Sequence, residues 1–374
     1  MILGKSDAIT FAAMQGAKGA AATITGSDVV DFLRDSSLVW PKPVQTVDRG
    51  LNRQGPLPSK KSIVGRKGEG GYNLELRGSG TAGTPPNGLS PYLETLFGNK
   101  AANAAGTVDA GSGLVGGFDS TLDLTVGQLV KIDIGSGQEI RPIASKSGAG
   151  PYTYTVRTDF SEAPADAAII YAGVSYFFIN DAAANFMTIE QYVSTIQYLC
   201  VDAWADTMSF SLADEEVIKT SFNVMSLSCA KNIATPNPYT AVYDDTDELV
   251  GLECNMRIGS TLTNMKSLNF ELGFRRTRGG INSTGISDAP FRKQEATANG
   301  TITPWMEDGS FFDTFFAGDT ADIELTKGTG GDGEQLFLLL PAIQYSGTEI
   351  SDDDGDFQWD LPFDMTEAPC IGLF

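Results

Sequence analysis

Histidine is absent from all 374 residues. That removes every mechanism in which imidazole serves as base, acid or metal ligand, so Ser-His-Asp triads, Cys-His dyads and the usual zinc sites are excluded. Cysteine is scarce. Cys200, Cys229, Cys254 and Cys370 show no CxxC spacing and sit in apolar, strand-like surroundings, which reads as four buried thiols in a reducing compartment. No apolar run approaches the length of a bilayer span; the best, residues 336–340, is strand-sized and stops at Pro341. Lys5 and Lys18 interrupt the small-residue N-terminus, which lacks the continuous apolar core of a signal peptide. The expectation is a soluble protein made in the cytoplasm, with no membrane partner.

Positive charge is also in short supply. The net charge is −21, and it is unevenly placed: residues 1–105 carry 12 Lys and Arg against 8 Asp and Glu, the remainder 14 against 39. A mostly acidic surface repels phosphate, so sequence-specific nucleic-acid binding is not expected. The same asymmetry permits a basic arm to associate with an acidic body.

What is present is β-structure. With 42 glycines, an ordinary apolar fraction of 41% and apolar residues that alternate with polar ones, the chain reads as mainly β, with few and short helices. Its length allows two or three domains. Residues 1–38 read as an N-terminal arm: an Ala/Gly-rich stretch at 14–22, then a short helix at 27–33 capped by Ser27 or Asp28. The arm is expected to order against a neighbouring chain. Residues 39–106 and 181–235 form a first unit, interrupted by an inserted β-domain at 107–180. Its short strands are expected at 121–124, 129–134, 139–143, 152–157, 168–172 and 175–178. Residues 236–374 form a second unit, ending in an apolar tail at 371–374 that is expected to dock on a neighbour.

The two units share a pattern. The first has a glycine-punctuated turn with Arg49, Leu51, Asn52, Arg53 and Gly55, then a strand at 72–77 and a helix at 90–97. That helix shows Leu93, Leu96 and Phe97 as an apolar stripe and Gly98 as its C-cap. The second has a turn with Arg278, Ile281, Asn282 and Gly285, a strand near 301–305, and a helix at 310–318 with Phe312, Phe315 and Phe316. Leu51, Asn52 and Gly55 match Ile281, Asn282 and Gly285 at one constant offset, which reads as a tandem duplication. Basic residues flank both turns: Lys60, Lys61, Arg66 and Lys67 at the first, Arg275, Arg276 and Arg278 at the second.

The run from Tyr72 to Gly98, together with 125–130, 140–143 and 163–166, resembles the major tail tube proteins of long-tailed bacteriophages. These segments are similar to that family's strand, turn and Leu-Leu-Gly helix and to its inserted strands, and they cover roughly residues 40–225. The resemblance implies tandem β-sandwich or barrel units, each with one short flanking helix, plus the inserted small β-domain on the outside. It implies hairpins and terminal arms that bridge stacked rings, and inner strands that close into one wide barrel. The bridging hairpins would carry Arg49, Asn52, Arg53, Gly55, Lys60, Lys61, Arg276, Arg278, Asn282 and Gly285. Two units per chain suggest a trimeric, pseudo-hexameric ring. The implied partners are further copies of the chain and tail terminator, tape measure and baseplate proteins. DNA would pass through an acidic lumen without specific binding, and no cofactor, metal or catalytic residue is implied.

Other readings stand beside it. A distal tail or baseplate ring protein is one. A carbohydrate-binding β-sandwich adhesin is another, with Tyr152, Tyr154, Tyr171 and Tyr176 as a sugar-stacking face. Residues 328–333 spell GxGxxG but lie between strand patterns, so they read as a hairpin loop. The acidic runs 244–248 and 352–356 lack calcium-loop spacing and read as solvated turns. No residue constellation supports an enzyme.

Overall fold

A computed structural model of the chain describes residues 8–43, 46–47, 62–63, 66–109, 114–178, 185–251, 254–259, 261–277, 292–304, 318–328, 333–347, 349–353 and 356–374. The architecture is mainly β. The first strands are β1 (Ala8–Met14), β2 (Trp40–Pro43), β3 (Thr46–Val47), β4 (Ser62–Ile63) and β5 (Arg66–Glu75). Helix α1 (Ser90–Phe97) and β6 (Gly98–Asn103) follow, then β7 (Gly106–Thr107), β8 (Gly117–Ser120), β9 (Leu129–Asp133), β10 (Gln138–Ser147), β11 (Tyr152–Val156) and β12 (Ile169–Ile170). The chain continues through β13 (Gly173–Phe178), β14 (Met187–Val193), β15 (Ile196–Ala213), β16 (Lys219–Ile233), β17 (Cys254–Ile258) and β18 (Thr261–Leu262). It finishes with β19 (Met265–Thr277), β20 (Arg292–Pro304), β21 (Ala321–Lys327), β22 (Leu336–Tyr345), β23 (Glu349–Asp353), β24 (Asp356–Met365) and β25 (Cys370–Leu373).

Seventeen of these strands belong to one continuous, barrel-like sheet, and six short ones form a separate sheet in the order β7-β12-β9-β10-β11-β8. Along β16, Thr220, Phe222 and Val224 are buried while Lys219 and Asn223 face water, the period-two pattern of a sheet with one covered face. The long strand β15 joins the parts. One edge pairs with β16 along nearly its whole length; the other pairs with β14 over residues 196–203 and with β19 over residues 207–213. One core therefore runs from Tyr72 and Phe222 through Phe270 to Leu338 and Leu361.

The small sheet has its own core of Phe118, Val130, Ile132, Tyr154 and Ile170. It meets the large sheet through Leu129 and Ile140 against Phe177, Phe337 and Phe374. Strand β13, read from sequence with the insert, belongs to the large sheet, paired with β6 and β25. Residues 121–124, expected as a strand, form no strand; the pairing falls one step earlier, at β8.

Helix α1 spans the expected residues and ends at Gly98 in the left-handed conformation, φ 86°, which glycine adopts without a Cβ clash. It is more than a flanking helix. Leu93, Leu96 and Phe97 are fully buried, and so is Tyr92 on another face, so it fills the concavity of the large sheet. Tyr72 meets Tyr92 edge-to-face at 5.6 Å, and Tyr92 meets Phe222 in a tilted contact at 5.4 Å. α1 is the only α-helix among the described residues; the expected second helix, with Phe312, Phe315 and Phe316, lies outside them.

Three expectations are corrected. Residues 27–33 do not form a helix: Thr25 and Asp28 close a capping box around a single 3-10 turn, Gly26–Asp28, and the chain turns extended at Val29. β-Branched Val29 and Val30 favour that outcome, and they pack against β1, itself paired to β14 of the same chain. The C-terminal residues do not reach a neighbour. They form β25, inserted between β13 and β22, with Phe374 fully buried. Finally, Cys200 and Cys229 are not separate buried thiols; they sit opposite each other in β15 and β16 and are disulfide-bonded in this structure. Sequence spacing carries no trace of this, because strand register brings together residues 29 apart.

Leu96→Ala should destabilise the chain by about 2–5 kcal/mol, as a buried leucine truncation leaving a cavity. Leu262→Ala, at a side chain 60% exposed, should fall within about 0.5 kcal/mol of the parent. Equal effects in urea unfolding would contradict the placement of α1 in the core.

Candidate assembly surface

Two hairpins leave the large sheet, one from each side of the β15–β16 pair. The local strand order is β20-β19-β15-β16-β5-β2. In the first hairpin β5 pairs with β16 only from Gly68 to Glu75, while β2 and then the β3–β4 pair continue it outward. In the second, β19 pairs with β15 only from Ser267 to Gly273, after which β14 occupies that edge of β15. The remainder of β19 is displaced from the edge and runs on with β20. Because β5 and β19 are each antiparallel to their neighbour, both hairpins depart towards the same end of the sheet, the end where β15 begins.

Charge changes where pairing with the body ends. Residues 42–67 and 274–298 hold 12 of the chain's 26 Lys and Arg but only 3 of its 47 Asp and Glu. Register sets Lys42 opposite Lys67 in the first hairpin and Arg276 opposite Lys293 in the second. Like charges on opposed residues of an antiparallel pair are destabilising, where opposite charges would contribute about 0.2–1 kcal/mol. Within the first hairpin Lys67 finds one carboxylate, Glu69, at 3.2 Å, both side chains being partly exposed. Such a pair contributes little in water.

The body offers the complementary sign. Arg77 is surrounded by Glu75 at 3.1 Å, Asp31 at 3.8 Å and the closer Glu248; burial pulls its pKa down, but the three carboxylates outweigh that and raise it. Asp244 accepts a hydrogen bond from the Asn87 backbone N–H at 2.8 Å. Burial raises its pKa, against that hydrogen bond and the Arg77 charge. Tyr243 and Val242 stand half-exposed beside it. The run 244–248 is thus a packed, partly neutralised loop, with Asp245 and Asp247 still facing water.

Of the sequence-predicted hairpin residues, Arg276 lies in β19 opposite Lys293. Arg49, Asn52, Arg53, Gly55, Lys60, Lys61, Arg278, Asn282 and Gly285 lie outside the described residues. In the sequence the first turn lies between the paired strands β3 and β4 and the second between the paired strands β19 and β20. Residues 328–333 lie between β21 and β22, while Asp352, Asp353 and Asp356 of the run 352–356 belong to the facing ends of β23 and β24, each pair antiparallel. Among the described residues no group of three His, Cys, Asp or Glu side chains converges on a metal position.

Residues 41–365 match the family described as "Phage tail tube protein". The chain belongs to that family. It is a structural protein of the virion tail. No curated protein matches the chain. The family fits a surface built for other copies of the chain better than a ligand site. The sugar-stacking alternative loses its platform: Tyr154 and Tyr176 are fully buried. The Tyr154 hydroxyl donates to the Leu122 carbonyl at 2.6 Å and accepts from the Leu124 N–H at 2.9 Å.

Sequence reasoning missed the cleft of about 520 Å³ between the two sheets, lined by Lys131, Glu139, Arg141, Arg257, Glu324 and Gln335 among others. Arg141 spans it, 3.0 Å from Glu139 and 3.6 Å from Glu324. Burial raises the Glu324 pKa and the Arg141 and Arg257 charges oppose it. Arg157 makes a second tie, to Asp322 at 3.5 Å and to Glu367. The hydrophobic pattern gave the strands on either side but no sign that they face each other.

Lys293→Glu places an acidic residue opposite Arg276 in the β19–β20 register. The expected result is a gain of up to about 1 kcal/mol in the stability of the unassembled chain, measured by urea unfolding at low salt; a loss would contradict the register-derived repulsion.

Proposed function

We propose that this chain is the major tail tube subunit of a siphovirus-type tail, and that it self-assembles into stacked rings around a channel for DNA. The observation that carries this reading is the pair of basic hairpins on an otherwise acidic body. Each holds like charges opposite one another, an arrangement that gains stability when an acidic surface approaches. The surface that every copy supplies in abundance is the body of the next copy. Arg49, Arg53, Lys60, Lys61, Arg276 and Arg278 then make contacts between subunits or rings, while Asn52, Gly55, Asn282 and Gly285 shape the tips.

The flanking of β15–β16 by one hairpin on each side, together with the repeated turn sequence, favours two tube units per chain. A trimer of such chains presents six hairpins, two from each chain, a pseudo-hexameric ring. A channel wall drawn from the acidic body repels phosphate, so DNA slides without being held. Tail terminator, tape measure and baseplate proteins complete the proposed partners. The small β7–β12 sheet sits outside the channel, where its mass obstructs nothing.

The test is negative-stain electron microscopy of the purified full chain at low salt, classified end-on. Rings or tubes with a central hole and three- or sixfold features are expected; persistent monomers contradict the reading. Lys293→Glu should reduce tube yield while preserving the fold, and added salt should do the same to the parent. Tubes indifferent to both changes would remove the hairpin charges from the account.

A further inference from the structure

Assembly through hairpins leaves Cys200 and Cys229 without a role. They are opposed residues of β15 and β16, Cα atoms 4.1 Å apart, both almost fully buried, and bonded to each other. Their position relative to the first hairpin is specific. Pairing between β5 and β16 ends at Gly68 and Ser226, and Cys229 lies three residues further along β16, in the first rows left uncovered. The root of the hairpin covers the other sulfur: a Cβ added at Gly68 would stand 3.0 Å from Cys200 Sγ and 2.9 Å from Val39. The Gly68 N–H donates to Ser226 Oγ at 2.9 Å, fixing that root to β16.

A virion protein passes through two redox environments. It is made in a reducing cell interior, where thiols persist, and it remains in a released particle, where disulfides persist. A pair held this close changes state between them.

We propose that Cys200 and Cys229 form a latch that closes after assembly: two thiols in the newly made subunit, one disulfide in the released particle, fixing the strand pair from which the first hairpin springs. The proposal rests on the tail reading for its change of compartment. The oxidant is a small-molecule disulfide. One thiolate attacks it, forming a mixed disulfide and expelling one small thiolate. The second cysteine thiolate attacks the mixed disulfide at the protein sulfur and expels the other; the two protons from the cysteines end on the expelled thiols. Two cysteines are oxidised and one small disulfide is reduced. Since Gly68 covers Cys200, exchange proceeds through local opening of the hairpin root. Cys254 is opposed by Lys327 and Cys370 by Phe177 and Leu339, so neither has a cysteine across its strand pair.

The experiment uses the full chain expressed in a host with a reducing cytosol. Cells are quenched in acid, and the protein is alkylated with iodoacetamide under denaturing, non-reducing conditions and weighed intact. Four alkylated cysteines are expected from quenched cells. Two are expected after purified tubes are incubated with oxidised glutathione, with one peptide pair linked through 200 and 229. Oxidised tubes should melt on the order of 4 °C above reduced ones, and the Cys200→Ser/Cys229→Ser variant should melt alike in both conditions. Four alkylated cysteines after oxidation, a bond already complete in quenched cells, or a link through Cys254 or Cys370 would each overturn the latch. Thiol state is read by mass and assembly by microscopy on the same sample, so the two readings fail separately. A 200–229 bond that forms only on oxidation in a sample without tubes supports the latch chemistry and contradicts the assembly reading.

Discussion

The rest of the chain depends on the backbone hydrogen bonds of β15. Its 18 residues have neighbours on both edges, β14 and β16 close by in the sequence and β19 some sixty residues later. A buried strand cannot leave its amides unpaired without a penalty of about 1–3 kcal/mol for each orphaned group. Register is equally constrained, because a slip of one residue would turn Met208, Phe210 and Leu212 away from the core. The hairpins inherit this rigidity. Both spring from strands seated directly on the β15–β16 pair, so their separation and shared direction are set by one antiparallel ladder.

That ladder also explains why the hairpins project. Strand β14 takes the edge of β15 that β19 would otherwise follow, and β19 continues paired with β20. Where the body ends, the charge reverses. In a chain of net charge −21, residues 42–67 and 274–298 hold nearly half the cations. Strand register sets Lys42 opposite Lys67 and Arg276 opposite Lys293, cation against cation. A protein of the phage tail tube family has an immediate use for such a split, since identical subunits must join in a fixed orientation.

Much of this was legible in the sequence. Alternation in 72–77 gave a strand, and the run ending in Gly98 gave the helix and its cap. The mainly β class followed from those local signals. What stayed hidden depends on contacts distant in sequence. The apolar ending at 371–374 has the composition of a sticky tail, and only the gap between β13 and β22 makes it an internal strand. The Leu93, Leu96 and Phe97 stripe suggested a half-exposed helix; Tyr92 and Thr95, buried on other faces, make it a core element. The disulfide and the cleft bridged by Arg141 require knowing which strands are neighbours, and periodicity within a strand carries no such information.

The central claim is that the two basic hairpins are the parts of the subunit that other copies cover. Hydrogen exchange of the full chain, compared residue by residue between unassembled subunits and tubes, tests it most directly. The account predicts that assembly slows exchange most strongly in residues 42–67 and 274–298, with smaller changes in β15 and β16, which are already protected. Unchanged exchange in both hairpins, with new protection confined to other surfaces, would contradict it.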